Sequence, residues 1–196
     1  MIKTILITLS LVFAGSVAYA QADSNNTALV IHDGWVQEAP ADFALTDDNA
    51  RPFHLSQLRG KIVLLFFGYT HCPDACPTTM TKLARVSKVL GKDAGDVVTI
   101  FVSVDPGRDT PDVLKHYLDY FHMNSVGLTG TKDEIDAVVK QYGARYEIEQ
   151  SDSAAGYHVN HSTDLYLLDK KGRLAKTFGY NDSTQTIVDE LRPLLK

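Results

Sequence analysis

Both cysteines of this 196-residue chain lie in one short stretch, Cys72-Pro73-Asp74-Ala75-Cys76, and this stretch constrains the fold more than any other feature. The run before it, Lys61 to Phe67, is apolar and rich in β-branched and aromatic residues, which predicts a strand buried on both faces of a sheet. The residues after it predict a helix that begins after Cys76, with Pro77 at its first position, and ends at Gly91. The cysteines are therefore expected on a strand-to-helix turn.

Such a turn favours reactive or metal-binding sulfur. A thiolate there lies near the positive end of the helix dipole and near exposed N–H groups, so the ionised form is favoured for both cysteines. The spacing of Cys72 and Cys76, three residues between them, also lets two sulfurs converge on one ion. Two soft thiolates suit Cu(I), and an added imidazole extends the choice to Cu(II) or Zn.

A structural disulfide is the alternative interpretation, because a cysteine pair in an exported protein is commonly oxidised. Two observations count against it. A bridge between Cys72 and Cys76 would close a very short loop, whereas a disulfide stabilises most when it closes a long one. The flanking prolines and the helix start are also more typical of a reactive site.

The first twenty residues have the pattern of a secretory signal: Lys3, an apolar run from Ile5 to Val17, and small residues up to Ala20. We expect cleavage after Ala20 and a periplasmic protein, tethered to the inner membrane if the leader is uncleaved. Residues 21–40 are interpreted as a linker and amino-terminal extension that contains a short strand pair, and residues 41–196 as one domain. The net charge of −5 provides no basic patch for nucleic acid.

The remaining elements follow the order of a thioredoxin-like sheet. The patterns predict a hairpin over residues 42–55, a buried strand over 97–104, two strands over 165–178 and a final helix from Ser183 or Thr184. Thr110 and Thr131 are expected to cap two further helices, with Glu134 completing a capping box. We therefore predict an α/β, thioredoxin-like fold with an N-terminal β-hairpin extension and an inserted helix.

His161 is the candidate third donor. In a thioredoxin-like fold, the segment that enters the penultimate strand normally carries a cis-proline facing the cysteines, but this chain has no proline between Pro111 and Pro193. His161 and its neighbours occupy that place. An imidazole that faces two sulfurs is a suitable third donor for copper, whereas it is a poor replacement for a proline that docks a substrate. His71 and His158 are weaker candidates, because each is expected to point away from the sulfurs.

The loop around Arg108 and Asp109 follows the strand over 97–104. One interpretation is that these two residues fix the loop by local ion pairing and turn hydrogen bonds. The other is that the loop borders the cysteine turn, since both follow adjacent parallel strands at their carboxyl ends, where α/β sheets bind ligands.

Three motifs taken together resemble the Sco/SenC family of copper chaperones. They are Gly68-Tyr69-Thr70-His71-Cys72-Pro73-Asp74-Ala75-Cys76-Pro77, then Val104-Asp105-Pro106 with Arg108-Asp109-Thr110-Pro111, then Tyr157-x-Val159-x-His161-Ser162. The resemblance runs from about Asp42 to the carboxyl terminus. It implies a thioredoxin-like fold and one copper per chain, Cu(I) or Cu(II), held by Cys72, Cys76 and His161. Asn160 stands where the family commonly has aspartate. The loss of that carboxylate is expected to weaken the orientation or basicity of the imidazole.

The resemblance also implies a role and partners. The family assists assembly of the binuclear copper centre in subunit II of cytochrome c oxidase, by delivering copper, by reducing the target's cysteines, or by both. The partners implied are that subunit, an upstream periplasmic copper donor and a thioredoxin-like reductant.

Other classes of function stay open at this point. One is a thiol-disulfide reductase without a physiological metal, in which Cys72 or Cys76, as a redox-active pair, attacks a partner disulfide. A copper-responsive regulator that binds the metal only to signal is another. A peroxidase is disfavoured, because no Pro-x-x-x-Thr-x-x-Cys pattern precedes Cys72.

Overall fold

A computed structural model describes residues 29–32, 35–38, 42–151 and 156–196. The expected signal sequence, its cleavage site after Ala20 and part of the expected linker lie outside the described residues. Within the extension, β1 (Leu29–His32) and β2 (Trp35–Glu38) form the predicted strand pair, which is antiparallel. No helix among the described residues is both long enough and apolar enough to span a bilayer.

The strands after the extension build one large sheet and one separate hairpin. In chain order they are β3 (Ala44–Asp47), β4 (Pro52–His54), β5 (Ile62–Gly68), β6 (Val97–Ser103), β7 (Ser125–Thr129), β8 (Tyr146–Gln150), β9 (Tyr157–His161), β10 (Leu165–Leu168) and β11 (Leu174–Phe178). Seven of them form a mixed sheet in the order β11-β10-β5-β6-β7-β3-β4. Strands β5, β6 and β7 run parallel, and β10 pairs antiparallel with β5. Every residue of β5 is buried, as the sequence predicts for a central strand.

Within the described ranges, four α-helices accompany the sheet: α1 (Ala75–Leu90), α2 (Pro111–Asp119), α3 (Lys132–Gln141) and α4 (Thr184–Leu194). Two 3-10 helices, Leu55–Leu58 and Gly91–Asp96, fill connections. The predicted caps are confirmed, because the hydroxyl of Thr110 accepts from the N–H of Val113 and Thr131 forms a capping box with Glu134. Ser183 caps the last helix.

Aromatic contacts show that helices cover both faces of β5. On one face Phe66 meets Phe101 of β6, and Phe101 meets Tyr117 of α2. On the other face Phe67 meets Tyr142, which follows α3 directly. A parallel sheet needs apolar cover on both sides, so these contacts account for the apolar character of β5. The predicted thioredoxin-like α/β architecture is confirmed.

Alternation over residues 144–149 indicates an extended segment, which β8 confirms, but the pairing of β8 with β9 into a hairpin is not indicated by any sequence pattern. Its register pairs Tyr146 with His161 and Gln150 with Tyr157. Within the described part of the chain, this hairpin forms a sheet of its own and pairs with no strand of the central sheet. His161 is therefore presented by an element that main-chain hydrogen bonds do not tie to the core strands.

Gly68 ends β5 at the point where the first turn of α1 passes over it. A Cβ added at this position would lie 2.8 Å from Sγ of Cys76 and 2.9 Å from ring atoms of Phe66 and Phe101. No ordinary Cβ contact is that short, so the absence of a side chain lets the cysteine-bearing helix approach the strand.

We predict that Gly68→Ala destabilises the reduced, copper-free protein by about 1–3 kcal/mol, because the extra methyl group overpacks the contact with Cys76. The matched control is Gly95→Ala, where a new Cβ meets no atom within 4 Å. That variant is expected to stay within about 0.5 kcal/mol of the parent. Urea unfolding of both variants measures the difference, and equal stabilities would contradict the close approach.

Candidate metal centre

The cysteine turn connects β5 to α1. The N–H of Cys72 donates to the carbonyl of Tyr69 at 3.2 Å, which closes the turn, and the N–H of Cys76 lies 3.5 Å from Sγ of Cys72. The expected strand-to-helix turn is thus present, but the helix begins at Ala75 and not after Cys76. Pro77 is its third residue, where the missing N–H still costs nothing, because the first-turn N–H groups have no partner inside the helix.

The early start of the helix separates the two cysteines. Cys76 lies inside the first turn and is fully buried, whereas Cys72 lies before the helix and is half-buried. Both are free thiols in the structure.

His161 reaches the cysteines from the end of β9. Its Nε2 atom lies 3.3 Å from Sγ of Cys76. One ligand atom each from Cys72, Cys76 and His161 lie within 4.8 Å of one another, and among the described residues this is the group of side chains arranged to hold a metal ion. The three residues singled out from the sequence are therefore brought together, although their role as ligands stays a prediction.

Aromatic rings and one carbonyl fix the orientation of the imidazole. The rings of Phe66 and Tyr69 meet the His161 ring edge-on, with centroids 6.0 and 5.8 Å away. Nδ1 lies 2.9 Å from the carbonyl oxygen of Ser162. Because a carbonyl only accepts, Nδ1 carries the proton and the lone pair of Nε2 points toward the sulfurs. This is the tautomer that a metal ligand requires.

The environment makes the two thiols chemically unequal. A hydrogen bond from the Cys76 thiol holds the pKa of Cys72 well below its usual value; the N–H groups of Asp74 and Cys76 add to this effect, and burial opposes it. The same hydrogen bond, together with burial, raises the pKa of Cys76. The expectation that the helix start activates both sulfurs is correct for Cys72 and wrong for Cys76 in the metal-free protein, because Cys76 is removed from water.

Asn160 has a different environment from the one expected. It lies on the face of the hairpin opposite to His161, because side chains alternate along a strand, and its Nδ2 donates to Oε2 of Glu149 at 2.8 Å. The imidazole is oriented by Ser162 instead, so a carboxylate at position 160 is not needed for that task. An aspartate there would stand directly across from Glu147, and asparagine avoids this repulsion between like charges.

The weaker histidine candidates do not join the group. Nδ1 of His71 lies 3.1 Å from Oγ1 of Thr70, and its side chain is about half exposed. His158 is exposed and pairs across the hairpin with Glu149. Neither belongs to the cluster of ligand atoms.

Asp109 holds the cysteine turn through hydrogen bonds to Thr70. It is fully buried, accepts from the backbone N–H of Thr70 at 3.0 Å and from its hydroxyl at 2.6 Å, and accepts from Ser103 at 2.7 Å. Burial raises the pKa of this carboxyl. Of the two interpretations of the loop at Arg108 and Asp109, both are correct: the loop is fixed by local bonds and it also borders the cysteine turn.

Two tyrosines complete the surroundings, and sequence patterns gave no sign of their contacts. The hydroxyl of Tyr157 donates to Oδ1 of Asp105 at 2.8 Å, and the hydroxyl of Tyr69 accepts from the backbone of Val159. Tyr157 did stand in one of the motifs quoted above, but nothing in its spacing indicates a partner 52 residues away.

Comparisons with a family model, with related sequences and with solved structures all match Sco proteins. The family model described as SCO1/SenC matches residues 35–196. A "SCO2-like protein" of Rickettsia felis is 37% identical over 152 residues, which cover 77% of this chain and 74% of that protein. The copper-bound structure of ScoI from Arabidopsis thaliana has a TM-score of 0.74 and 34% identity, and the match covers 79% of this chain and 99% of that one. Copper-bound ScoI from Bradyrhizobium japonicum gives 0.73 and 36%, with 80% and 99% covered.

The lowered pKa of Cys72 predicts unusual reactivity in the reduced, copper-free protein. A group with a lowered pKa stays ionised as pH falls, so alkylation of Cys72 by iodoacetamide should change little between about pH 8 and pH 6, where an ordinary thiol loses roughly tenfold per unit. Cys76 should remain largely unmodified until the chain is unfolded in urea. Mass spectrometry of the two cysteine peptides measures both rates. Equal rates with the profile of ordinary thiols would contradict the assignment.

Proposed function

Because the chain belongs to the SCO1/SenC family, we propose that it binds one copper ion through Cys72, Cys76 and His161 and serves in the assembly of cytochrome c oxidase. The observation that carries the proposal is the convergence of two sulfurs and one imidazole nitrogen within 4.8 Å. The destination of the copper is the binuclear centre in subunit II of the oxidase, as the family resemblance implies.

The donor set suits copper in both oxidation states. Two thiolates are the soft ligands that Cu(I) prefers, and an imidazole adds the nitrogen donor that Cu(II) tolerates better than sulfur alone. The imidazole already presents the lone pair of Nε2 to the sulfurs, so little reorganisation accompanies binding. Cys76 must lose its proton when copper enters, and binding is therefore expected to weaken as pH falls.

The open side of the site is the side of Cys72. Because Cys76 is fully buried and Cys72 is half-buried, an incoming thiolate of the target meets the copper next to Cys72. The incoming thiolate takes the place of one ligand, and the others follow by stepwise exchange. The copper changes partners while its oxidation state is unchanged.

The same two sulfurs make copper binding dependent on redox state. If the two copper-bound thiolates pass two electrons to a disulfide-containing oxidant, Cys72 and Cys76 become a disulfide, the oxidant becomes a dithiol with two protons taken from water, and His161 is left as a single donor. Copper is then released. A thioredoxin-like reductant in the periplasm would restore the dithiol and the capacity to bind.

The unequal thiols also favour a second candidate function, a thiol-disulfide reductase. The Cys72 thiolate attacks one sulfur of a partner disulfide and forms a mixed disulfide, which releases the partner's first thiolate. Cys76 then gives up its proton and attacks Cys72, which frees the partner's second thiolate and leaves a Cys72–Cys76 disulfide. Two electrons pass to the partner. A half-buried thiolate beside a buried resolving thiol fits this sequence of steps.

Location and partners are part of the proposal. The pattern of residues 1–20 supports export to the periplasm, where the oxidase subunit, a copper donor and a thiol reductant would meet the domain.

Replacement of His161 distinguishes the two functions. We predict that His161→Ala lowers copper affinity by at least tenfold, with the larger loss for Cu(II), because a ligand is removed while both thiolates stay. His158→Ala is the matched control, since His158 lies on the same strand, is exposed, and is outside the cluster. Copper stoichiometry of the purified proteins and oxidase activity in copper-limited cells are the measurements.

The outcomes separate cleanly. Loss of copper binding together with loss of oxidase assembly, with His158→Ala normal in both, supports copper delivery. Normal assembly by a His161 variant that holds no copper would reject it. The reductase hypothesis fails if that variant reduces the oxidase subunit at the full rate yet supports no assembly.

A further inference from the structure

The position of His161 raises a structural question, because the hairpin that carries it pairs with no other strand in the described part of the chain. A two-stranded hairpin alone is marginally stable in water. The imidazole nevertheless lies 3.3 Å from a buried sulfur. Contacts other than strand pairing must therefore hold β9 over the cysteine turn.

Arg108 provides the densest set of such contacts at the start of β9. Its guanidinium carbon lies 3.7 Å from the centroid of the Tyr157 ring, and Nη1 donates to the carbonyl of Tyr157 at 3.2 Å. Nε forms an ion pair with Oδ2 of the buried Asp105, and the other oxygen of Asp105 accepts from the Tyr157 hydroxyl. Arg108 therefore contacts both the ring and the main chain of Tyr157. A planar guanidinium is suited to this combination of stacking and forked hydrogen bonds.

The same group is connected to the cysteine turn. The N–H of Asp105 donates to Oγ of Ser103 at 3.0 Å, and Ser103 donates to the buried Asp109. Asp109 in turn holds the N–H and the hydroxyl of Thr70, two residues before Cys72. One continuous hydrogen-bonded path therefore runs beneath the site, from the histidine strand to the cysteine turn.

We propose that Arg108 is a positioning residue for His161: by clamping Tyr157 to Asp105, it holds the start of β9 so that the imidazole lies over Cys72 and Cys76. The role rests on the proposed copper function but is carried by contacts within the metal-free protein. The contacts that carry the proposal join Arg108 to Tyr157 and Asp105, so its effect on the metal is transmitted by the placement of the strand.

The clamp should matter unequally for the two oxidation states. Two thiolates retain Cu(I) when the imidazole is loosely held, whereas Cu(II) depends more on a nitrogen donor in a fixed place. Loss of the clamp is therefore expected to resemble a partial loss of His161, with both thiolates intact. A merely structural role would lower stability without this bias.

The test compares two substitutions at the clamp with a remote pair of the same chemistry. Arg108→Lys keeps the charge but loses the planar stack and the fork, and Tyr157→Phe removes only the hydroxyl that bonds to Asp105. Arg173→Lys is the control, because Arg173, like Arg108, forms an ion pair with a nearby aspartate, here Asp169. Asp169 and Arg173 come after β10 in the chain. This strand ends beside Val63, which lies at the opposite end of β5 from Gly68.

Five measurements are made on each purified variant. Hydrogen exchange of residues 157–161 in the copper-free, reduced protein reports how firmly the strand is held. The Cu(II) dissociation rate and the Cu(II) visible spectrum report the imidazole, and Cu(I) affinity reports the thiolates. Thermal unfolding reports global stability.

For Arg108→Lys we expect faster exchange over 157–161, Cu(II) loss accelerated by about 10- to 100-fold with a shifted spectrum, and a smaller change in Cu(I) affinity. Tyr157→Phe should give the same pattern more weakly, and Arg173→Lys should match the parent. Unchanged exchange, or Cu(II) loss no faster than in Arg173→Lys, would overturn the proposal. If the parent protein binds no copper, the copper function fails, and unchanged exchange would still reject the clamp independently. If Arg108→Lys does not fold, the Tyr157→Phe result decides by the same criteria.

Discussion

The contact between Nε2 of His161 and Sγ of Cys76 joins two segments that are 85 residues apart, and the rest of the site depends on it. It forms at the carboxyl end of β5, where the strand ends in Gly68 and the first turn of α1 lies close to it. The lack of a side chain at Gly68 lets the sulfur approach the strand, and the hairpin then brings the imidazole to the sulfur. A scaffold built for packing thus places soft and nitrogen donors within bonding reach of one ion.

The cysteines of this site differ in exposure and acidity, and this difference gives the fold two related kinds of chemistry. Cys72 is half-buried and its pKa is lowered by the Cys76 thiol, whereas Cys76 is buried and its pKa is raised by the same hydrogen bond and by burial. In the proposed copper complex, the buried sulfur would anchor the ion and the accessible one would face the acceptor. In the proposed reductase, the accessible sulfur would be the attacking thiolate and the buried one would resolve the mixed disulfide. The two proposed functions therefore draw on the same asymmetry.

Local features of the fold were predictable from the sequence, and contacts between distant segments were not. The buried strand β5 and the capping box at Thr131 follow from periodicity and from neighbouring residues, so the patterns suffice. The start of α1 at Ala75 was misjudged, because proline tolerates any of the first-turn positions and so does not fix which one it occupies. The contacts of Arg108 with Tyr157 arise only from tertiary packing. Likewise, the face of the hairpin on which Asn160 lies depends on the hairpin register, which no local signal indicates.

The most direct test of the account is X-ray absorption spectroscopy of the reduced protein loaded with one equivalent of Cu(I). The geometry predicts a first shell of sulfur from Cys72 and Cys76 with one imidazole nitrogen, and the nitrogen contribution should vanish in His161→Ala. A shell containing sulfur alone in the parent protein, or a nitrogen signal that survives in His161→Ala, would contradict the claim that these three residues form one copper site.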